Sequence, residues 1–213
     1  YFSNLEDEDD NYQKLIKISS KIGNFRPLTK EIRKAIDNQG EVKSSASSKL
    51  RRIRRKMQNA KDSIRDKLNS IIHSSSFEKY IQESVVTIRD GRYVIPVKVE
   101  HQGEIDGLVH DQSASGQTVF VEPNAVVKIN NKLKQLESEE EQEIQRILQE
   151  LTFLVQDKTE EIKITLKLLT ALDFIIAKAR YSLDIDGSEP LLNQEQKTKL
   201  FKARHPLLTG EVV

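Results

Sequence analysis

The feature that most restricts this chain is a change of hydrophobic period. Residues 85–123 switch from the 3.6-residue spacing of helix to the alternation of strand, and the residues after them switch back. Leu50, Met57, Ile64 and Ile71 recur every seven residues, with Ile53, Ala60 and Leu68 between them. That is a coiled-coil-like seam starting at Ser47, and it fades around Ser74-Ser75-Ser76. After Pro123, Val126, Ile129, Leu133 and Leu136 open a second seam. Ile144, Ile147, Leu148, Leu151, Leu154 and Val155 continue it, and Ile162, Leu166, Leu169, Leu172 and Ile176 carry it towards Leu183. The pattern allows a kink near Gln156–Thr159 within one long helical stretch. Between the seams, Val85–Arg89 and Tyr93–Val99 are β-rich and meet across Asp90-Gly91, a strong two-residue hairpin signal. A third strand is expected near Ile105–His110, punctuated by Gly103 and Gly107, and a fourth at Thr118–Val121. Pro96 has no N–H to give a ladder, which predicts an edge or a bulge there.

These patterns predict a mostly α fold with a small antiparallel β insertion: a long antiparallel helical lever capped by four strands, which are too few to stand alone. The expected organisation is a helical core segment (1–46), an outgoing lever helix (47–80), a β module (81–123), a returning lever helix (124–186) and a linker (187–213). Within the first segment, one helix begins at Asn4 with the acidic run Glu6–Asp10 and ends at Gly23-Asn24. A second carries Leu28, Ile32, Ala35 and Ile36 and stops near Asn38-Gln39-Gly40.

Charged residues make up 31% of the chain and no apolar run approaches the roughly 18 residues of a membrane span. With zero Cys, disulfides, thiolate zinc sites and Cys nucleophiles are excluded, which fits a reducing cytoplasm. The chain opens at Tyr1-Phe2-Ser3 with no signal-peptide pattern, and a piece of something longer is expected. Its net charge of +1 hides segregation. Residues 49–67 hold nine cations (Lys49, Arg51, Arg52, Arg54, Arg55, Lys56, Lys61, Arg65 and Lys67) against Asp62 and Asp66. Residues 136–154 hold six glutamates against Arg146. If Lys79 lies opposite Asn124, residue 67 faces about 136 and residue 49 about 154, so a basic arm meets an acidic one. Such pairs specify register more than they stabilise. A phosphate-binding stripe is the other reading of the same cations, with Arg51, Arg52 and Arg55 as contacts, and the two coexist if cations outnumber their partners.

Catalytic signals are weak. His110-Asp111 near Ser113 and Ser115 has the residue types of a nucleophilic triad. Neighbours on a strand point to opposite faces, however, and Asp111–Gly116 reads as a turn. The four His have no paired metal-ligand spacing, and no glycine stands in a phosphate-cradling GxxxxGK[ST] pattern. Arg89, Arg92, Lys98 and His101 in the β tip are candidate phosphate contacts, with solvated strand faces as the plainer alternative. No catalytic centre and no metal or cofactor site is expected within the chain.

Gly91-Arg92-Tyr93-Val94-Ile95-Pro96-Val97-Lys98 and the stretch Gly107–Pro123 resemble the clamp of the MutS-type ATPases, in the bacterial paralogue branch that lacks the mismatch-reading domain. Gly40–Lys43 followed by Leu50–Arg54 resembles the start of that family's lever, and Leu172–Arg180 its returning end. Ala203-Arg204-His205-Pro206-Leu207-Leu208 resembles the entry to its ATPase domain. The resemblance covers about residues 25–208. Ser48 and Ser44 depart from the family's Pro and Asp, though either serves a helix cap.

The resemblance implies a cytoplasmic homodimer whose ATPase, using ATP and Mg, drives the levers around DNA, RNA or a ribosome, with an endonuclease domain elsewhere. It also implies roles in restraining homologous recombination and in rescuing collided ribosomes. A coiled-coil scaffold that binds only protein is the rival reading, and a hydrolase built on His110 a distant third.

Overall fold

The computed structural model describes residues 13–201. The acidic run at Glu6–Asp10 and the Ala203–Leu208 motif lie outside the described residues. The chain divides into two units, one of residues 25–156 and one combining the residues before and after it.

In the larger unit, α2 (Arg26–Ala35) leads into a tight turn that closes with the Ile36–Val42 bridge. Helix α1 (Gln13–Ser19) belongs to the other unit. Helix α3 spans Ser48–Ile72, and its cap is Ser47, whose Oγ accepts from Leu50 N at 2.9 Å. Ser48 and Ser44 therefore do not cap it. Helix α3 also stops short of residue 80. Ser74 O turns back to accept from Phe77 N and Glu78 N, and Glu78–Tyr80 form only a 3₁₀ turn. Three consecutive serines offer the backbone alternatives to helix, which is why the pattern loss at 74–76 marks the end. The apolar stripe runs through Leu50, Ile53, Met57, Ile64, Leu68 and Ile72. Ile71 is only half-buried, because a straight helix drifts off a strict seven-residue repeat.

The sheet has four antiparallel strands, β1 (Thr87–Arg89), β2 (Arg92–Lys98), β3 (Gly107–Gln112) and β4 (Thr118–Pro123), in the order β1-β2-β4-β3. Asp90 and Gly91 both have positive φ, +49° and +71°, the type I′ geometry that the two-residue hairpin needs. Strand β2 is central in the strand order, but Pro96 lies at a part of it that β1 does not reach. Only the isolated Ile81–Val97 bridge flanks that part, so the edge expected there is met locally. The Pro96 carbonyl accepts from Gln82 N at 2.9 Å, so its polar edge points to the side that β1 has already left. The missing N–H thus costs the β2–β4 ladder nothing. Gly107 lies where a Cβ would come within 2.3 Å of Glu122 O.

Helix α4 (Asn124–Asp157) follows β4 directly. Tyr93, Ile95, Val97, Val119 and Val121 turn one sheet face into a core shared with Ile53–Ile72 of α3 and Val126, Leu133 and Leu136 of α4. Each fully buried Leu or Ile there contributes about 1.5–3 kcal/mol relative to exposure. A second cluster joins Ala35 and Val42 to Leu50 and Ile147. The arms are antiparallel, but their register differs from the expected one. Lys49 meets Glu143, not residue 154, and Arg54 meets Glu140. Ile64 and Ile147 consequently lie in different clusters. The earlier end of α3 accounts for most of the slip.

The returning helix is two helices, broken at Lys158, with α5 spanning Thr159–Asp184. In the smaller unit Gly23 N donates to Thr165 Oγ1 at 2.9 Å. Of the α5 seam, Leu172 is buried, Ile162 and Ile176 are half-buried, and Leu166 and Leu169 are exposed.

Candidate nucleic-acid interface

The nine cations of residues 49–67 separate by face. Positions in phase with the seam turn towards α4. Lys49 Nζ lies 3.1 Å from Glu143 Oε2, and Arg54 Nε 2.6 Å from Glu140 Oε1. Arg54 also donates to Val42 O at 2.8 Å and Ser44 Oγ at 3.0 Å, tying both helices to the segment before them. Arg65 rests over the Tyr93 ring. Arg51, Arg52, Arg55 and Lys56 point the other way. They are exposed and, among the described residues, form no ion pair or side-chain hydrogen bond. Two adjacent turns of helix thus present four uncompensated cations to solvent.

Glu143, which sequence reasoning placed merely in an acidic face, is buried in the seam. Ser47 Oγ donates to it at 2.8 Å, Arg146 at 2.7 and 3.1 Å, and Lys49 completes the set. The Arg146 hydrogen bonds, helped by those from Ser47 and Lys49, outweigh burial and hold its carboxyl at about 2, below the usual carboxylate range. The carboxylate also stands at the α3 N-terminus, where the helix dipole favours it. Its spacing from Leu136 and Ile147 was the available signal.

At the β tip the candidate cations are engaged within the fold. Arg92 Nη1 lies 2.9 and 3.0 Å from the two oxygens of Glu122, and its Nη2 donates to Asn131 Oδ1 at 2.7 Å. Arg89 pairs with Asp111 at 3.1 Å and covers the Phe120 ring. Lys98 Nζ donates to Lys79 O at 2.9 Å, and His101 packs on Tyr80.

Glu122 is fully buried, and sequence reasoning missed it. It accepts from Arg92 on β2 and Asn130 on α4, and its Oε2 lies 2.6 Å from His110 Nε2 on β3. The β-bulge between Val109 and Asp111 turns His110 towards it. His110 therefore does have an acidic partner, although none is visible in sequence. Ser113 and Ser115 are occupied within their own turn, with their hydroxyls 3.3 Å apart and Thr118 N donating to Ser113. Nothing in this arrangement supplies a nucleophile to the imidazole. Asn130, on the α4 seam, bonds both Tyr93 N and Tyr93 O. Continuing the β2–β4 register puts Tyr93 opposite Pro123, which has no N–H, and the amide side chain takes the place of a strand partner. Among the described residues no cluster of His, Asp and Glu is suited to hold a metal ion, and no helix is long and apolar enough to cross a membrane.

The 91–98 and 107–123 motifs thus form a four-stranded sheet inserted between α3 and α4, with Glu122 bonding two of its strands to α4. No protein-family profile matches the chain. Proteins named Endonuclease MutS2 do match it along most of its length. That of Pelotomaculum thermopropionicum is 47% identical over 209 residues, covering 98% of this chain and 27% of that protein. Those of Alkaliphilus oremlandii (42% over 206 residues, 97% and 26%) and Acetivibrio thermocellus (50% over 179 residues, 84% and 23%) are similar in the same way. The chain belongs to this MutS2 branch of the MutS paralogues, and it spans about a quarter of the length of the relatives it matches.

Proposed function

We propose that the chain is the lever and clamp of a MutS-like ATPase and endonuclease, gripping nucleic acid and transmitting ATP-driven motion between a catalytic domain and the β tip. ATP with Mg, strand cleavage and homodimerisation are assigned to parts of the longer protein that this chain does not span. The observation that carries the nucleic-acid role is the outward cationic face of α3. Arg51 and Arg52 are adjacent, Arg55 stands one turn further along the same helix, and none of the three has an ion pair or side-chain hydrogen bond among the described residues. Their contacts are with phosphates and independent of sequence. Arg89 and Lys98 are secondary contacts, because Asp111 and the Lys79 carbonyl already share their charge. Arg92 and His101 belong first to the fold of the tip. The lever's rigidity is what suits it to transmit motion: hydrogen bonds at Glu143 and Glu122 fix α4 against α3 and against the sheet. Restraint of homologous recombination and rescue of stalled ribosomes are the cellular roles that the family resemblance adds to this proposal.

In the full-length protein, replacing Arg51, Arg52 and Arg55 by Ala should lower the slope of log K against log salt by up to about 2.7, at about 0.9 per lost phosphate contact. An unchanged slope would remove α3 as the interface. The exposed apolar residues of α5, among them Leu166, Leu169 and Phe174, favour the second reading, a protein-binding scaffold. That reading requires no salt-dependent affinity for DNA or RNA at all, and a filter-binding series at several salt concentrations separates the two.

A further inference from the structure

Helix α2 shows solvent a row of charge that its own stability does not account for. Arg26, Lys30, Arg33 and Lys34 recur along one face and, with Thr29, line a shallow cleft of about 440 Å³. Like charges one helical turn apart oppose each other. No acid stands in the first turn, the end at which the helix dipole disfavours cations. Lys34 is paired with Glu31 at 2.6 Å, but Lys30 and Arg33 make no side-chain hydrogen bond or ion pair among the described residues. The opposite face is fixed, since Ala35 packs with Val42, Leu50 and Ile147. Two other shallow clefts of this unit are each lined by at least one glutamate beside a cation. Lys30 and Arg33, one turn apart and unpaired among the described residues, repel each other until an anion lies against them.

We propose that α2 is a second contact surface for the phosphodiester backbone of duplex DNA, separate from the outward face of α3, with Lys30 and Arg33 each taking a phosphate. The inference rests on the nucleic-acid reading above and adds a surface to it. The test is salt-titrated binding of a fluorescent DNA duplex to the full-length protein. Lys30→Ala with Arg33→Ala should lower the salt slope by about 1.8, two contacts at about 0.9 each. Thermal unfolding should stay at or above the parental temperature, because repulsion is relieved, and Lys30→Arg should keep the parental slope. An unchanged slope for the α2 pair, beside a lowered one for the α3 triple variant, would overturn this surface and leave α3 standing. Unchanged slopes in both would overturn both. Loss of slope in Lys30→Arg, which keeps the cation, with the parental melting temperature retained, would overturn a charge-based phosphate contact at Lys30. Loss with duplex RNA but none with DNA would overturn the commitment to DNA.

Discussion

Glu122 shows how one residue gathers a fold around itself. Its carboxylate is fully buried and bonded from two strands and a helix, so its removal takes an acceptor from three partners at once. Removing one member of a buried ionic set costs about 3–5 kcal/mol, since the others are left uncompensated. Glu122→Ala should therefore lose stability in that range in denaturant unfolding, and a near-neutral result would mean that the hub is not what holds the sheet to α4. Gly107 faces the backbone of the same residue. Gly107→Ala would drive a methyl into Glu122 O, and overpacking of this kind costs about 1–3 kcal/mol. Calorimetric melting of the variant checks it. Neither role was legible in sequence. Glu122 reads as one more charge beside Val121, and Gly107 as a generic strand terminator, because burial and close approach are properties of neighbours brought in from elsewhere in the chain.

The helices and strands were far more legible, because periodicity and turn chemistry are local. The Asp90-Gly91 hairpin, the four strands and the two seams of the paired arms all follow from spacing within a few residues. The end of α3 was the weak point, and with it the register. Ser47 settles both by capping α3 and reaching across to Glu143 with the same hydroxyl. Ser47→Ala should cost about 1 kcal/mol for the cap alone. The loss should shrink when Glu143 is already Ala, as a double-mutant cycle by chemical denaturation would show. Full additivity would mean that the two residues act independently.

At the scale of the molecule, the charge of α3 is divided between two faces. Lys49 and Arg54 pair with glutamates of α4, while Arg51, Arg52, Arg55 and Lys56 face solvent, unpaired among the described residues, and these are the cations that the proposed reading gives to a polyanion. Glu143 links that pairing to pH. Its folded value, about 2, lies below the ordinary 4.5, so the stability it contributes is fully present above about 4.5 and is lost as pH falls towards 2. Glu143→Gln should therefore be less stable than the parent at neutral pH, with a gap that closes over that window in melts from pH 7 to pH 2.5. A constant gap would show that the charge of Glu143 has no part in it. What the sequence alone determined is the order and type of the elements of the larger unit, the family, and the segregation of charge, since each is written in neighbouring residues. Which cations are paired and which are exposed, where α3 meets α4, and that Glu122, Asn130 and Glu143 are interior groups were decided only by tertiary packing. Burial and hydrogen bonding are set by residues distant in the chain.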